Sequence, residues 1–189
     1  QSRSQARRQL EEISLLQARL REAALRDPLT GLYNRRHLSD TLPGALARCA
    51  RQGTPLTLVM IDIDHFKQIN DRHGHAAGDA MLQALARLLQ TQVREGDMAC
   101  RMGGEEFLLV LENAALQPAW ERSQALCRAF EALTVVHEGA RLQATMSCGL
   151  ASCPGDGTDA DTLLRGADRA LYAAKEGGRN QLRAAGVVA

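Results

Sequence analysis

The stretch Arg101-Met102-Gly103-Gly104-Glu105-Glu106-Phe107 limits what this chain can become more than any other. Apolar segments flank a Gly-Gly pair, and two carboxylates lead into Phe107-Leu108-Leu109-Val110-Leu111. The pattern predicts a β-hairpin from about Met98 to Asn113 that turns at Gly103-Gly104, because glycine reaches the positive φ angles a tight hairpin turn requires. Two glycines also remove side chains, so something bulky can approach the backbone. Acids beside such a gap suit a metal and a polyphosphate. Taken alone, the same stretch also reads as an ordinary hairpin with a solvated acidic turn.

A second feature gives the hairpin a neighbour. Thr57-Leu58-Val59-Met60-Ile61-Asp62-Ile63-Asp64 is an apolar run ending in acids, and it reads as a buried central strand. Period-2 alternation puts Asp62 and Asp64 on one face and Ile61 and Ile63 on the other. A carboxylate at the end of such a strand needs a partner, since an unpaired buried charge is costly. Around these two anchors the periodicity predicts helices at about 35–51, 79–93, 118–133 and from Asp159 or Asp161 to Ala174. It also predicts a strand at 142–151, short strands at 134–136 and after Gln181, and a turn or short helix at 65–71. The core order is β-α-β-β-α-β, the ferredoxin-like or palm-type layout of an α+β fold, with an antiparallel sheet flanked by helices. That layout places the first strand beside the hairpin and brings Asp62 near Glu105 and Glu106.

Residues 1–26 form a separate element. They lack Gly and Pro, and Leu10, Ile13, Gln17, Leu20 and Ala24 follow the 3-4-3-4 spacing of a coiled-coil seam. A dimeric coiled coil is expected, as the continuation of a longer upstream helix. Asp27-Pro28 breaks it, and the globular domain is expected to run from 27 to 185. The chain has 189 residues and a formal net charge of +1, so no bulk electrostatic pull toward nucleic acid is implied. No apolar run approaches the roughly 20 residues that span a bilayer. The five cysteines lack CxxC spacing and favour buried thiols in a reducing compartment. Without an initial Met or a leader-like start, the chain is expected to be a cytoplasmic piece of a longer protein, which could itself be membrane-anchored.

Lys67 and Lys175 are the only lysines among 23 basic residues, so each is expected where a compact ammonium is wanted. Two or three carboxylates with no His or Cys in ligand spacing suit a hard ion such as Mg²⁺, which usually also binds substrate phosphates. Backbone N–H groups of the His65-Phe66-Lys67 turn, together with Lys175 and Arg179 around Gly177-Gly178, can hold those phosphates. Asn70 and Asp79 offer a donor/acceptor edge suited to guanine. Singly, Asn70 reads as a turn residue, Asp79 as a helix cap and Lys175 as a solvated helix end. Jointly they describe a nucleotide site with a metal.

Five ordered motifs carry a family resemblance: Asp27-Pro-Leu-Thr-Gly-Leu-Tyr-Asn-Arg-Arg36, Asp62-Ile-Asp-His-Phe-Lys-Gln-Ile-Asn-Asp71, Gly74-His75 with Gly78-Asp79, Gly103-Gly-Glu-Glu-Phe107, and Asp168-Arg-Ala-Leu-Tyr-Ala-Ala-Lys-Glu-Gly-Gly-Arg-Asn180. Over about Asp27 to Leu182 the chain resembles the GGDEF domain, the catalytic module of bacterial diguanylate cyclases. The resemblance implies condensation of two GTP molecules into cyclic di-GMP with release of pyrophosphate, across a homodimer joined through the N-terminal helix and governed by an upstream sensory domain. It implies that Asp62, the Ile63 carbonyl and Glu105 ligate Mg²⁺, with Mn²⁺ as a substitute, and that Glu105 or Glu106 assists deprotonation of the 3′-hydroxyl. Asn70 and Asp79 would read guanine, Lys67, Lys175 and Arg179 would hold phosphates, and His65, Phe66 and His75 would complete the substrate site. Arg94-Glu95-Gly96-Asp97 precedes the hairpin motif by five residues, as does the family's inhibitory product site, and Arg122 or Arg128 would complete it. Met102 departs from the pattern, since an aromatic often precedes the glycines. Two other readings share the fold. A non-catalytic nucleotide sensor would show a degenerate hairpin or a lost Asp62, and a polymerase-like enzyme would need a basic channel.

Overall fold

A computed structural model describes residues 2–186. Gln1, which falls within the expected N-terminal helix, lies outside the described residues. Helix α1 (Ser2–Leu25) precedes a two-residue strand β1 (Tyr33–Asn34) and helix α2 (Arg35–Gln52). Strand β2 (Leu56–Ile63), helices α3 (Phe66–His73) and α4 (His75–Gln92), strands β3 (Met98–Gly103) and β4 (Glu106–Glu112), and helix α5 (Leu116–Ala132) follow. A small hairpin of β5 (Val135–His137) and β6 (Ala140–Leu142), strand β7 (Met146–Cys153), helix α6 (Ala160–Glu176) and strand β8 (Leu182–Ala184) complete the described chain.

The main sheet has the order β1-β3-β4-β2-β7-β8. Its four central strands are antiparallel, as the β-α-β-β-α-β reading requires, and β1 and β8 add parallel edges. All eight residues of β2 are buried, which suits a strand covered on both faces. Val59, Ile61 and Ile63 point to the layer of α4 and α5, where Leu82, Leu85, Leu89, Leu126 and Phe130 pack. Leu58 and Met60 point to the layer of α2 and α6. Alternation therefore puts Asp62 on the α6 side, under the end of that helix. Gly149 on β7 makes this approach possible: a Cβ there would overlap the backbone of Ala167 and Leu171.

Three boundaries differ from the sequence reading. The helix expected from Asp79 begins at His75, because Gly74 (φ 89°) is the cap and Gly78 lies inside the helix. Gly78 is needed for packing, since a Cβ would overlap the side-chain oxygen of Asn70 on α3. The strand expected over 142–151 divides. Leu142 belongs to the β5–β6 hairpin, whose turn at Glu138 (φ 47°) and Gly139 (φ 78°) has the two positive φ angles of a type I′ connection, and β7 starts at Met146. Finally, Gly103 pairs with Glu106 while Arg101 pairs with Phe107. Met102 is thus an extra residue in β3, a bulge that moves the hairpin tip from Gly103-Gly104 to Gly104-Glu105. The five cysteines are free and buried.

Candidate nucleotide and metal site

The site lies where β2, the β3–β4 tip and the end of α6 meet. Antiparallel register sets Asp62 directly across from Glu106, and the Ile63 amide donates to the Glu105 carbonyl at 3.4 Å. Asp62 is only 5% exposed, and its Oδ2 accepts from Lys175 Nζ at 2.7 Å. The Asp62 carboxyl is raised to about 6 by opposing causes, of which burial is the largest. Within that balance Lys175 pulls it down, and the nearby charges of Glu105 and Glu106 add to the upward push. One ammonium thus pairs with Asp62 while two further carboxyl groups act on that acid electrostatically, an arrangement that favours an added cation. Among the described residues no three His, Cys, Asp or Glu side chains converge closely enough to cage an ion alone. A hard divalent ion held by one or two carboxylates, a main-chain carbonyl and substrate oxygens matches this donor set.

The hairpin tip is open and fixed in place. A Cβ on Gly103 (φ 147°) or Gly104 (φ 51°) would meet nothing within 4 Å, so these glycines answer to backbone conformation and leave the space above them free. Arg101 holds the tip from behind: its Nε and Nη2 donate to the Gly104 carbonyl at 3.2 and 2.9 Å, and its Nη1 donates to both oxygens of Asp27 at 3.2 Å. Asp27 also accepts from the Thr30 amide and hydroxyl. Burial works to raise the Asp27 carboxyl, but Thr30 and Arg101 outweigh it and hold the group below its ordinary value. Neither Arg101 nor Asp27 stood out as a site residue in the sequence. They are 74 positions apart, and only the parallel pairing of Asn34 with Arg101 brings them together.

The remaining candidates line the approaches. His65 (φ 55°) makes the left-handed turn from β2 into α3. Phe66 is half-buried against the core, and Lys67 is exposed in the first turn of α3. Asn70 Oδ1 is buried without a hydrogen-bond partner, beside Gly78. His75 and Asp79 are exposed on the first turns of α4, and Arg179 (φ 62°) is exposed past the end of α6. The structure thus pairs Asp62 with Lys175, sets Glu105 and Glu106 on the neighbouring strand and tip, and packs Asn70 against α4. Lys67, His75, Asp79 and Arg179 form no ion pair within the described residues. Alternation flagged Asp64 without giving it a task. The structure does: it accepts from the Thr145 and Ser147 hydroxyls and from the Asn180 amide.

Arg94 and Asp97 belong to a different cavity, of about 350 Å³, lined also by Glu112, Pro118 and Arg122. Asp97 accepts from the Arg94 amide at 3.0 Å, the Glu112 amide at 3.1 Å and Arg122 Nη2 at 2.9 Å. Arg122 is the arginine in contact, and Arg128 is exposed elsewhere on α5. The Asp97 side chain is only 2% exposed, so its pair with Arg122 is largely shielded from solvent.

Comparison with known proteins gives a consistent result. Residues 24–181 match the family described as Diguanylate cyclase, GGDEF domain. The chain is 41% identical over 165 residues to diguanylate cyclase DgcP of Pseudomonas aeruginosa, covering 87% of this chain and 24% of that protein. It is 38% identical over 161 residues to response regulator PleD of Caulobacter vibrioides, covering 84% of this chain and 36% of the relative. It therefore spans well under half the length of these curated relatives. The fold superposes on the coiled coil and GGDEF domain of DgcB from Caulobacter crescentus, solved in complex with c-di-GMP, with a TM-score of 0.89, 29% identity and 96% of each chain covered.

Proposed function

This chain belongs to the GGDEF domain family of diguanylate cyclases, and from that membership we propose that it condenses two GTP molecules into cyclic di-GMP and two pyrophosphates across a homodimer. The observation that carries the reading is the register of β2 and β4, which sets Asp62 against Glu106 with Glu105 at the open tip and Lys175 2.7 Å from Asp62.

In this reading each protomer holds one GTP over Gly103 and Gly104. Asn70 and Asp79 read the guanine edge. The His65-Phe66-Lys67 turn, Lys175 and Arg179 bind the phosphates, and His75 completes the substrate site. Glu105 or Glu106 accepts the proton from the 3′-hydroxyl, whose oxygen attacks the α-phosphorus of the GTP on the other protomer as the bond to pyrophosphate breaks. Mg²⁺ or Mn²⁺, held by Asp62, the Ile63 carbonyl and Glu105, would supply charge stabilisation to the attacking and leaving oxygens. Two such steps close the ring.

The reaction needs two active sites face to face, which gives α1 a task. Of the seam Leu10, Ile13, Gln17, Leu20 and Ala24, the three large apolar residues Leu10, Ile13 and Leu20 are each more than half exposed, which suits a partner helix. An upstream sensory domain would act by changing that pairing. The cavity at Arg94, Asp97 and Arg122 is the site proposed for inhibition by product. No helix among the described residues is long and apolar enough to cross a membrane.

Incubation with GTP and Mg²⁺, with product titrated back, tests the reading. Cyclic di-GMP should form, and Glu105→Ala should abolish it. A demonstrably dimeric chain that makes none would overturn the proposal. Removal of residues 1–24 should lower specific activity at high dilution, and a dilution-independent rate would remove α1 from the mechanism.

A further inference from the structure

The segment Gly177 to Asn180 carries Arg179 and is exposed throughout. It nevertheless contains two consecutive non-glycine residues in the left-handed region, Arg179 (φ 62°) and Asn180 (φ 44°). Such residues hold that conformation only when their surroundings impose it. Burial does not impose it here. The Arg179 amide donates to the Ala174 carbonyl at 3.0 Å, which continues the end of α6. The Asn180 amide donates to Asp64 Oδ2 at 2.9 Å. Among the described residues, Asp64 is the one side chain from another part of the fold that bonds to this segment.

Asp64 is well placed to fix it. It is 4% exposed, and its carboxylate is anchored on its other sides by Ser147 Oγ donating to Oδ1 and Thr145 Oγ1 donating to Oδ2, both at 2.6 Å. Its own amide donates to the Thr145 carbonyl at 2.9 Å. The two acids at the end of β2 thus divide their work. Asp62 takes the side chain of Lys175 and Asp64 takes the backbone beyond it. We infer that Asp64 is a positioning residue that locks the Arg179-Asn180 turn so that Arg179 is presented to the phosphates of GTP. This rests on the phosphate-binding reading of Arg179 given above.

Asp64→Ala removes the acceptor. Asp64→Asn can keep it, with the amide oxygen serving Thr145 and Asn180 and the amide nitrogen donating to the Ser147 hydroxyl. Amide hydrogen exchange without nucleotide tests the lock directly. Residues 178–181 should exchange about tenfold faster or more in Asp64→Ala and near the native rate in Asp64→Asn, and unchanged exchange in Asp64→Ala overturns the inference. Should Asp64→Ala not fold, Asp64→Ser serves as the disrupting variant. Titration with a non-hydrolysable GTP analogue and Mg²⁺ tests the consequence. Asp64→Ala and Arg179→Ala should each weaken binding about tenfold, and the double variant should be no weaker than either. In turnover the loss should appear chiefly in KM for GTP. Additive losses, or a fall in kcat alone, overturn the inference. Failure of the native chain to bind the analogue would instead sink the cyclase reading, and the exchange result would still decide whether Asp64 locks the turn.

Discussion

Asp62→Asn should make the unliganded protein more stable while abolishing its activity. The Asp62 carboxyl is raised from 3.8 to about 6, first by burial and then by Glu105 and Glu106, against the pull of Lys175. Two pH units correspond to about 3 kcal/mol of penalty on the ionised form. The site opens to solvent on its ligand side, and screening reduces the realised figure to about 1–2 kcal/mol. The folded value lies above the unfolded one, so the native state binds the extra proton between roughly pH 4 and pH 6. Native stability therefore falls as pH rises through that window and stays lower above it. Asparagine carries no charge and escapes the loss. In urea unfolding with EDTA, the variant should match the native chain at the acid edge of the window and exceed it by about 1–2 kcal/mol at pH 8. Added Mg²⁺ should stabilise the native chain and leave the variant unmoved, since an ion that binds only the folded state shifts unfolding by mass action. A variant less stable than the native chain at pH 8 in EDTA would refute the reasoning. It would mean that the Lys175 pair outweighs burial and that Asp62 is a structural anchor.

The other predictions touch different parts of the fold. Gly149→Ala should cost about 3 kcal/mol in thermal or urea unfolding, because the new methyl meets the α6 backbone, and a loss under about 0.5 kcal/mol would show that the helix can move aside. Asp27→Asn should cost about 1 kcal/mol at neutral pH after allowance for solvent screening. The folded Asp27 carboxyl is depressed, so its contribution is present above about pH 4 and disappears as pH falls through the folded value; a deficit independent of pH would contradict this. Arg94→Ala should leave the initial rate near native while relieving inhibition in a product titration at least about tenfold, and undiminished inhibition would move the product site elsewhere.

Much of the frame could be read from the sequence because its signals are local and periodic. Residues 57–63 alternate between two apolar layers, and the hairpin acids follow an apolar strand, so the nearness of Asp62 to Glu105 and Glu106 follows from the order of elements, while the pairing of Asp62 with Glu106 is set by the folded sheet. The bulge at Met102 was not legible, since a single extra residue leaves no periodic trace, yet it moves the tip by one position and puts Glu105 on it. Gly78 looked like a helix boundary because glycine usually ends helices. Its actual reason is the Asn70 side chain on another helix. Asp64 and Arg122 share this limitation. Alternation or motif spacing marks each as a candidate, but their partners lie 116 and 25 positions away, and only the folded chain brings them together.

The tie from Asp27 through Arg101 to the Gly104 carbonyl bears on how this module can be driven. Helix α1 ends at Leu25, and Asp27 is already fixed to the hairpin tip. The Arg26 guanidinium lies 3.9 Å over the Tyr33 ring, and Asn34 Nδ2 donates to the Ala24 carbonyl at 2.8 Å, which pins the helix exit further. No slack separates the last turn of the helix from the open tip of the site. A torque on the helix therefore arrives as a rotation of the whole domain. Each residue inserted ahead of α1 turns the domain by about 100° and moves it by about 1.5 Å relative to its fusion partner. Chimaeras built with serially lengthened helical joints should then alternate between productive and unproductive phases with the helical repeat, as the teeth of a gear do, and should not weaken gradually with distance.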